Sequence, residues 1–231
     1  MEIRHRSRGV TKARIPATTK TVSTHLSTIE LYTWSTPNGR KVSIMLEECG
    51  LGYNVHKINI GTNQEQFTAE YLKINPNGKI PSIVDPQGPG GKPIALMESG
   101  AILMYLADKT GKFFPQRDKY AVLQWLMFQM GGVGPMFGQA HHFMRAKKDE
   151  VPYGTERYGN EAKRLYGVMD RHLERNEFFA AEYSIADMAI YPWVARHEWH
   201  RVELAGFPNV KRWYDFVGAR PAVVRGMAVP A

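Results

Sequence analysis

Strand-like alternation fills the first half of this chain and is missing from the second. Ile29-Glu30-Leu31-Tyr32-Thr33-Trp34 and the stretch 53–60 set bulky residues at every second position, the period of a strand. Between them, after the breakers Ser35-Thr36-Pro37-Asn38-Gly39, the run 41–50 reads as a helix. It carries Val42, Ile44, Met45 and Leu46 on one side, Glu47 and Glu48 outside, and Gly50 as a stop. Strand, helix, strand with short joints implies a parallel pair. A short helix over 67–72 follows, then the turn Asn75-Pro76-Asn77-Gly78. Two strands, 80–85 and 93–97, flank a hairpin loop at 88–91. Glu98-Ser99 opens a helix through Lys109 that Gly111 closes.

From Asp118 onward only helical periods remain, over 119–130, 155–174 and 210–217, with Pro221 as a later boundary. Ser184-Ile185-Ala186-Asp187 is a capping box ahead of the apolar run 188–194. The chain therefore divides into an α/β part over 28–112 and an all-α part over 113–231, behind a leading segment, 1–27. That segment is expected to be a flexible extension. Its first twenty residues hold six basic side chains against Glu2, or five of the eight excess positive charges in the chain. A basic tail without an apolar stretch suits a loose extension or a transit peptide better than a folded nucleic-acid face. No run is apolar for long enough to span a bilayer. Cys49 is the one cysteine, so no internal disulfide and no CxxC pair exist. That suits a reducing, cytoplasmic setting, and Cys49 itself reads as a packed apolar residue.

Four local features point to one ligand. Thr36-Pro37-Asn38-Gly39 stands at the mouth of the first helix, where unpaired N–H groups and the positive dipole end stabilise an anion such as a thiolate. Thr36 and Asn38 add hydroxyl and amide donors, although capping alone explains both locally. Ile80-Pro81 joins a turn to a strand. A cis proline there would open the main chain of Ile80 to strand-like pairing with an extended peptide; an ordinary trans proline at a strand start is the commoner case. Glu98-Ser99 offers a carboxylate for an ammonium and helix N–H groups for a carboxylate, which suits a γ-glutamyl amino acid; simple capping by Ser99 explains the pair equally. Gln66 and Lys79 flank the same face, each being an ordinary surface residue if taken alone. His141-His142 and His197-Glu198-Trp199-His200 lack metal-site spacing. Together with Met130, Met136, Phe137 and Phe143, the first pair is a candidate lining for a second-substrate pocket.

In this order the pieces resemble the glutathione transferase superfamily over nearly the whole chain from Thr28. They are STPNGRKVSIMLEE, NPNGKIPSIVD, LMESGAILMYLADKTG, LQWLMFQMGGVGPMFGQAHHF and YSIADMAIYPW. The Thr-Pro-Asn-Gly turn and GGVGPMFGQAHHF look like the Nu class, the bacterial disulfide-bond reductases related to the fungal nitrogen regulator. The resemblance implies a thioredoxin-like N-terminal domain and a C-terminal helical bundle. It implies glutathione, reduced or oxidised, as co-substrate without a metal, a homodimer, and no nucleic-acid or membrane partner. It assigns Thr36 and Asn38 to the glutathione sulfur, with Ser35 as runner-up and Tyr32 inside the strand. It gives the glutathione backbone to Gln66, Lys79, Ile80, Glu98 and Ser99, with Arg157 reaching the ligand from the helical part. The activity implied is disulfide-bond reduction with weak transfer. Transfer to electrophilic or ether substrates and a non-catalytic regulatory role are the alternatives on the same scaffold.

Overall fold

The computed structural model describes residues 28–147 and 150–231; the extension expected over 1–27 lies outside them. The first half runs β1 (Ile29–Thr33), α1 (Pro37–Cys49), β2 (Tyr53–Lys57), α2 (Ala69–Ile74), β3 (Ser82–Asp85), β4 (Ile94–Met97) and α3 (Ser99–Thr110). One sheet holds the strands in the order β2-β1-β3-β4. β1 and β2 are parallel, with Leu31 opposite Val55, as a crossover through α1 requires. β3 lies antiparallel to both β1 and β4. The second half contains α4 (Lys119–Phe128), α5 (Gly134–His141), α6 (Pro152–Leu173), α7 (Ile185–Val194), α8 (Pro208–Gly218) and α9 (Pro221–Met227), with no strand among its described residues. A thioredoxin-like layer followed by a helical bundle is the architecture expected from the sequence. No helix among the described residues is long and apolar enough to cross a membrane.

β1 buries Ile29, Leu31 and Thr33 and leaves Glu30 and Tyr32 half-exposed, so its alternation is the alternation of its two faces. Tyr32 lies within the strand and stacks on His56 at 4.5 Å between ring centroids. In α1, Val42, Ile44, Met45 and Leu46 are fully buried, each contributing about 1.5–3 kcal/mol of apolar burial as an upper bound. The helix packs against α3, α7 and α9.

The bounds differ from the sequence reading where a helix cap or tertiary contact outweighs local pattern. α1 begins at Pro37, not Lys41: Thr36 is its N-cap, and the Thr36 side chain accepts the Gly39 N–H at 3.1 Å. The Pro-Asn-Gly "turn" is thus the first helical turn, where a proline loses no helical bond. Gly39 is required there, since a Cβ would sit 2.3 Å from Thr33 Oγ1 and 2.5 Å from the Trp34 carbonyl oxygen. α2 starts after Thr68, behind a 3-10 turn at Glu65–Phe67. The Gly-rich stretch after α4 does not break the helix. Chain 119–146 stays helical through π turns at Gln129–Val133 and His142–Ala146 on either side of α5. Pro135 at the start of α5 has no N–H for a regular bond, and the widened turn accommodates it.

Pro221 starts a further helix, α9, which braces α1 from behind. Ser43 Oγ donates to the Gly226 carbonyl at 2.6 Å. Arg220 donates to both carboxylate oxygens of Glu48, at 2.6 and 3.0 Å. A Cβ on Gly226 would lie 2.5 Å from Ile44 Cα.

Candidate functional site

Two adjoining cavities of about 370 and 240 Å³ open at the mouth of α1 and share Asn38, Lys79 and Ile80. Thr36 and Gln66 line the first, with Trp193 and Arg196 of the helical half; Glu98, Ser99 and Met130 line the second. Of the sequence-predicted residues, Thr36, Asn38, Gln66, Lys79, Ile80, Glu98 and Ser99 therefore meet in one place. Arg157 does not join them: it is exposed, donates to Tyr153 Oη at 3.4 Å, and lines a separate cavity with Met136. Ser35 is exposed, accepts from Arg40 at 3.1 Å, and lines neither cavity.

The free donors of α1 converge on Asn38. Pro37 has no N–H, Gly39 N–H goes to Thr36 Oγ1, and Arg40 N–H goes to the Thr36 carbonyl at 3.0 Å. That leaves the Asn38 N–H as the unspent donor of the first turn. The indole Nε1–H of Trp193 donates to Asn38 Oδ1 at 3.2 Å. Since an indole N–H only donates, this contact fixes the amide oxygen and turns the Asn38 NH₂ outward. With Thr36 Oγ1 accepting from Gly39, its hydroxyl hydrogen is also available to a ligand.

Gly78 lets the chain turn at φ 61°. Tyr71 Oη and Asn75 Nδ2 each donate to the Lys79 carbonyl at 2.6 Å. These bonds hold up Ile80, whose own N–H and C=O have no partner among the described residues. The Ile80–Pro81 peptide is cis. Gln66 is buried, and its Oε1 faces no donor within the protein. Glu98 sits at the cap of α3 with φ 67°, a backbone region that costs a non-glycine residue about 1–3 kcal/mol.

Three site residues carried no local signal. Trp193 and Arg196, whose guanidinium donates to the Ser35 carbonyl at 2.9 Å, come from 155 and more residues downstream of the turn they support. Lys41 is fully buried beneath Ser99. Its Nζ donates to Ser99 Oγ at 3.2 Å, Gln129 Oε1 at 2.6 Å and Met130 Sδ at 3.4 Å. Burial lowers its pKa to about 7, opposed by the nearby Glu98 carboxylate.

Cys49 is buried at the opposite end of α1, and burial raises its thiol pKa. His141 stacks on His200 at 4.5 Å, and His200 also packs on Phe137. Burial lowers their pKa values to about 4 and about 2, so both are neutral core-type rings. His141 and His142 do line a fourth cavity, with Arg145 and Trp199, whereas Phe137 is core and Phe143 packs against Gly154. No group of three or more metal-ligating side chains occurs among the described residues.

The N-terminal domain model of the glutathione S-transferases matches residues 36–109, and the corresponding C-terminal domain model matches 136–221. The chain is 48% identical to the disulfide-bond oxidoreductase YfcG of Escherichia coli over 198 residues, 84% of this chain and 92% of that protein. It is 37% identical to the disulfide-bond oxidoreductase YghU of the same organism over 230 residues, 93% of this chain and 79% of that one. The crystal structure of a Pseudomonas putida glutathione transferase, with one glutathione disulfide bound per subunit, superposes with a TM-score of 0.85 at 47% identity. The match covers 91% of this chain and 95% of that one. A Burkholderia graminis glutathione transferase structure with two glutathione molecules per subunit gives 0.83 at 48% identity, covering 90% and 91%.

Proposed function

The chain belongs to the glutathione S-transferase family, and we propose that it is a glutathione-dependent disulfide-bond reductase of the Nu type, with weak transferase activity. In this reading the sulfur of glutathione faces Thr36 and Asn38, and its cysteinyl main chain pairs with Ile80. The γ-glutamyl carboxylate meets Ser99 and the free N–H groups of α3, and the ammonium meets Glu98. Gln66 and Lys79 hold the remaining backbone. The orphaned acceptor of Gln66 and the unspent donors of Asn38 and Ile80 support that placement.

One observation carries the choice of chemistry: the helix mouth has donors for a thiolate but no protein thiol, because Cys49 is buried at the far end of α1. The nucleophilic sulfur then comes with the ligand. The bound thiolate attacks one sulfur of a small disulfide, the S–S bond breaks, and the departing thiolate takes a proton from water. A second glutathione thiolate attacks the glutathione sulfur of the mixed disulfide, releasing the second thiol and oxidised glutathione. Two glutathiones supply the two electrons.

The same reading sets the domains at 28–112 and 113–231. It makes the working unit a homodimer in the cytoplasm. Tyr120 and Met127 on α4 and Val151 and Tyr153 at the start of α6 are large apolar side chains exposed in the single subunit, as a subunit contact requires. Arg157, outside the cavity, has a part in binding only in such a dimer, where an exposed arginine of one subunit can reach the site of the other.

Reduction of 2-hydroxyethyl disulfide by glutathione, coupled to glutathione reductase, tests the proposal beside transfer to 1-chloro-2,4-dinitrobenzene. Strong reduction, weak transfer and loss of reduction in Thr36→Ala and Asn38→Ala are expected. Strong transfer with both variants unaffected would overturn it.

A further inference from the structure

Lys41 belongs to no part of the chemistry above, yet its position is costly. A lysine with 1% of its surface exposed loses nearly all its hydration, and among the described residues no carboxylate lies within ion-pair distance of it. Its partners are neutral: Ser99 Oγ, Gln129 Oε1 and Met130 Sδ. They come from the start of α3 and from the π turn after α4. Lys41 itself lies one turn below Asn38 on α1, so its ammonium forms the floor beneath the cavity that Asn38, Glu98, Ser99 and Met130 line.

The donor arithmetic decides what this floor does. An ammonium has three N–H donors and no acceptor, and three acceptors surround it. While Lys41 is charged, Ser99 Oγ accepts from it, and the Ser99 hydroxyl hydrogen has to point elsewhere. The alternative inside the protein is Met130 Sδ at 3.8 Å, a weak acceptor. A carboxylate arriving in the cavity takes that hydrogen instead. When Lys41 is a neutral amine, it gains a lone pair. Of its three partners as they stand, the Gln129 oxygen and the Met130 sulfur cannot donate to it, and Ser99 can; the Gln129 NH₂, buried without a partner, donates only if that amide turns over. The Ser99 O–H then turns inward and is withdrawn from the ligand.

We propose that Lys41 is a positioning residue that acts through Ser99: as an ammonium it aims the Ser99 hydroxyl at the carboxylate of the bound ligand, so that binding takes up a proton. This rests on the reading of the cavity as the seat of a γ-glutamyl carboxylate at Ser99. Burial, which holds the Lys41 pKa near 7, puts the two states within reach of each other at neutral pH. Glu98 is the charged group that faces Lys41 from α3. The π turn offers Gln129 and Met130, neither of which titrates. Of the other helices packed on α1, the acid of α7, Asp187, is spent on its own cap and on Trp213. Arg225 of α9 is paired with Glu47, and Arg40 is turned to Ser35. Lys79 enters the cavity from the other wall.

The sign follows directly. The ligand favours charged Lys41, so affinity is full below the Lys41 pKa of the free protein and falls as pH rises through it. Isothermal titration of the full chain with S-methylglutathione, which has no thiol to titrate, reads this between pH 6 and 8.5. Affinity is expected to fall about tenfold from pH 6 to pH 8. At pH 8, paired buffers of different ionisation enthalpy should report close to one proton taken up per ligand. Lys41→Met, a near-isosteric apolar replacement, and Ser99→Ala should bind more weakly, with a flat profile and no proton uptake. Wild type binding with no proton uptake at pH 8, or Lys41→Met keeping the wild-type slope, would overturn the inference while leaving the cavity assignment intact. No binding to wild type at any pH would instead sink the assignment on which it stands. The wild-type measurement decides the matter even if the variants fold poorly.

Discussion

Trp193→Phe removes one hydrogen bond while keeping an aromatic ring against Gly134, Gly138 and His141, and it tests whether Asn38 acts as an oriented donor. In the native protein the indole N–H holds Asn38 Oδ1 at 3.2 Å, which leaves the amide N–H groups for the sulfur. A neutral, part-buried hydrogen bond contributes about 1 kcal/mol net, equivalent to roughly fivefold in an equilibrium constant. Without it the amide samples the flipped orientation, which presents oxygen to a thiolate and repels it. The loss of kcat/KM for 2-hydroxyethyl disulfide is therefore bounded: about twofold if the two orientations become equal, and at most about fivefold if the flipped orientation comes to dominate. In an Asn38→Ala background no amide remains to orient, so Trp193→Phe should cost nothing further. Steady-state kinetics of the four proteins close the cycle. Equal losses from Trp193→Phe in both backgrounds, or wild-type kcat/KM in the single variant, would refute the reasoning.

Other consequences follow from the same contacts. Gly39→Ala drives a Cβ into Thr33 Oγ1 and the Trp34 carbonyl, so it should destabilise by about 2 kcal/mol or more and displace the cap; thermal melting and the disulfide assay should fall together. Cys49→Ala leaves the helix mouth untouched and should retain full disulfide reduction, because the reacting sulfur is not the protein's; loss of activity with an unchanged melting temperature would contradict this. Asp187 is fully buried and accepts from the Phe179 N–H, the Ser184 N–H and hydroxyl, and Trp213 Nε1. Asp187→Ala orphans those donors and should cost about 3–5 kcal/mol in denaturant unfolding, and a cost below 1 kcal/mol would show that water replaces the carboxylate.

The architecture was legible because burial alternates as the letters do: Ile29, Leu31 and Thr33 in β1, and Val42, Ile44, Met45 and Leu46 in α1. The convergence of Thr36, Asn38, Ile80, Glu98 and Ser99 on the adjoining cavities was legible too, since they belong to turns and helix caps, whose chemistry is local. What sequence could not supply is long-range. Trp193 meets Asn38 only after α7 packs on α1, and no spacing links residues that far apart. Lys41 sits in a helix as any solvated lysine would, and only the π turn that brings Gln129 and Met130 over it makes it a buried ammonium. That turn was hidden for the same reason: Gly131-Gly132 reads as a break, but tertiary packing around Gly134 and Trp193 keeps the chain helical. Arg157, implied by family resemblance and not by any local pattern, is the residue that a single subunit does not bring to the cavity.

Thr36 and Asn38 are proposed to hold the glutathione sulfur as a thiolate. Titrating the thiolate absorbance of bound glutathione against pH tests it most directly. A thiol pKa one or more units below the free value of about 8.5 is expected, returning toward that value in Asn38→Ala. A pKa at or above the free value in the wild-type complex, or one unmoved by the substitution, would contradict it.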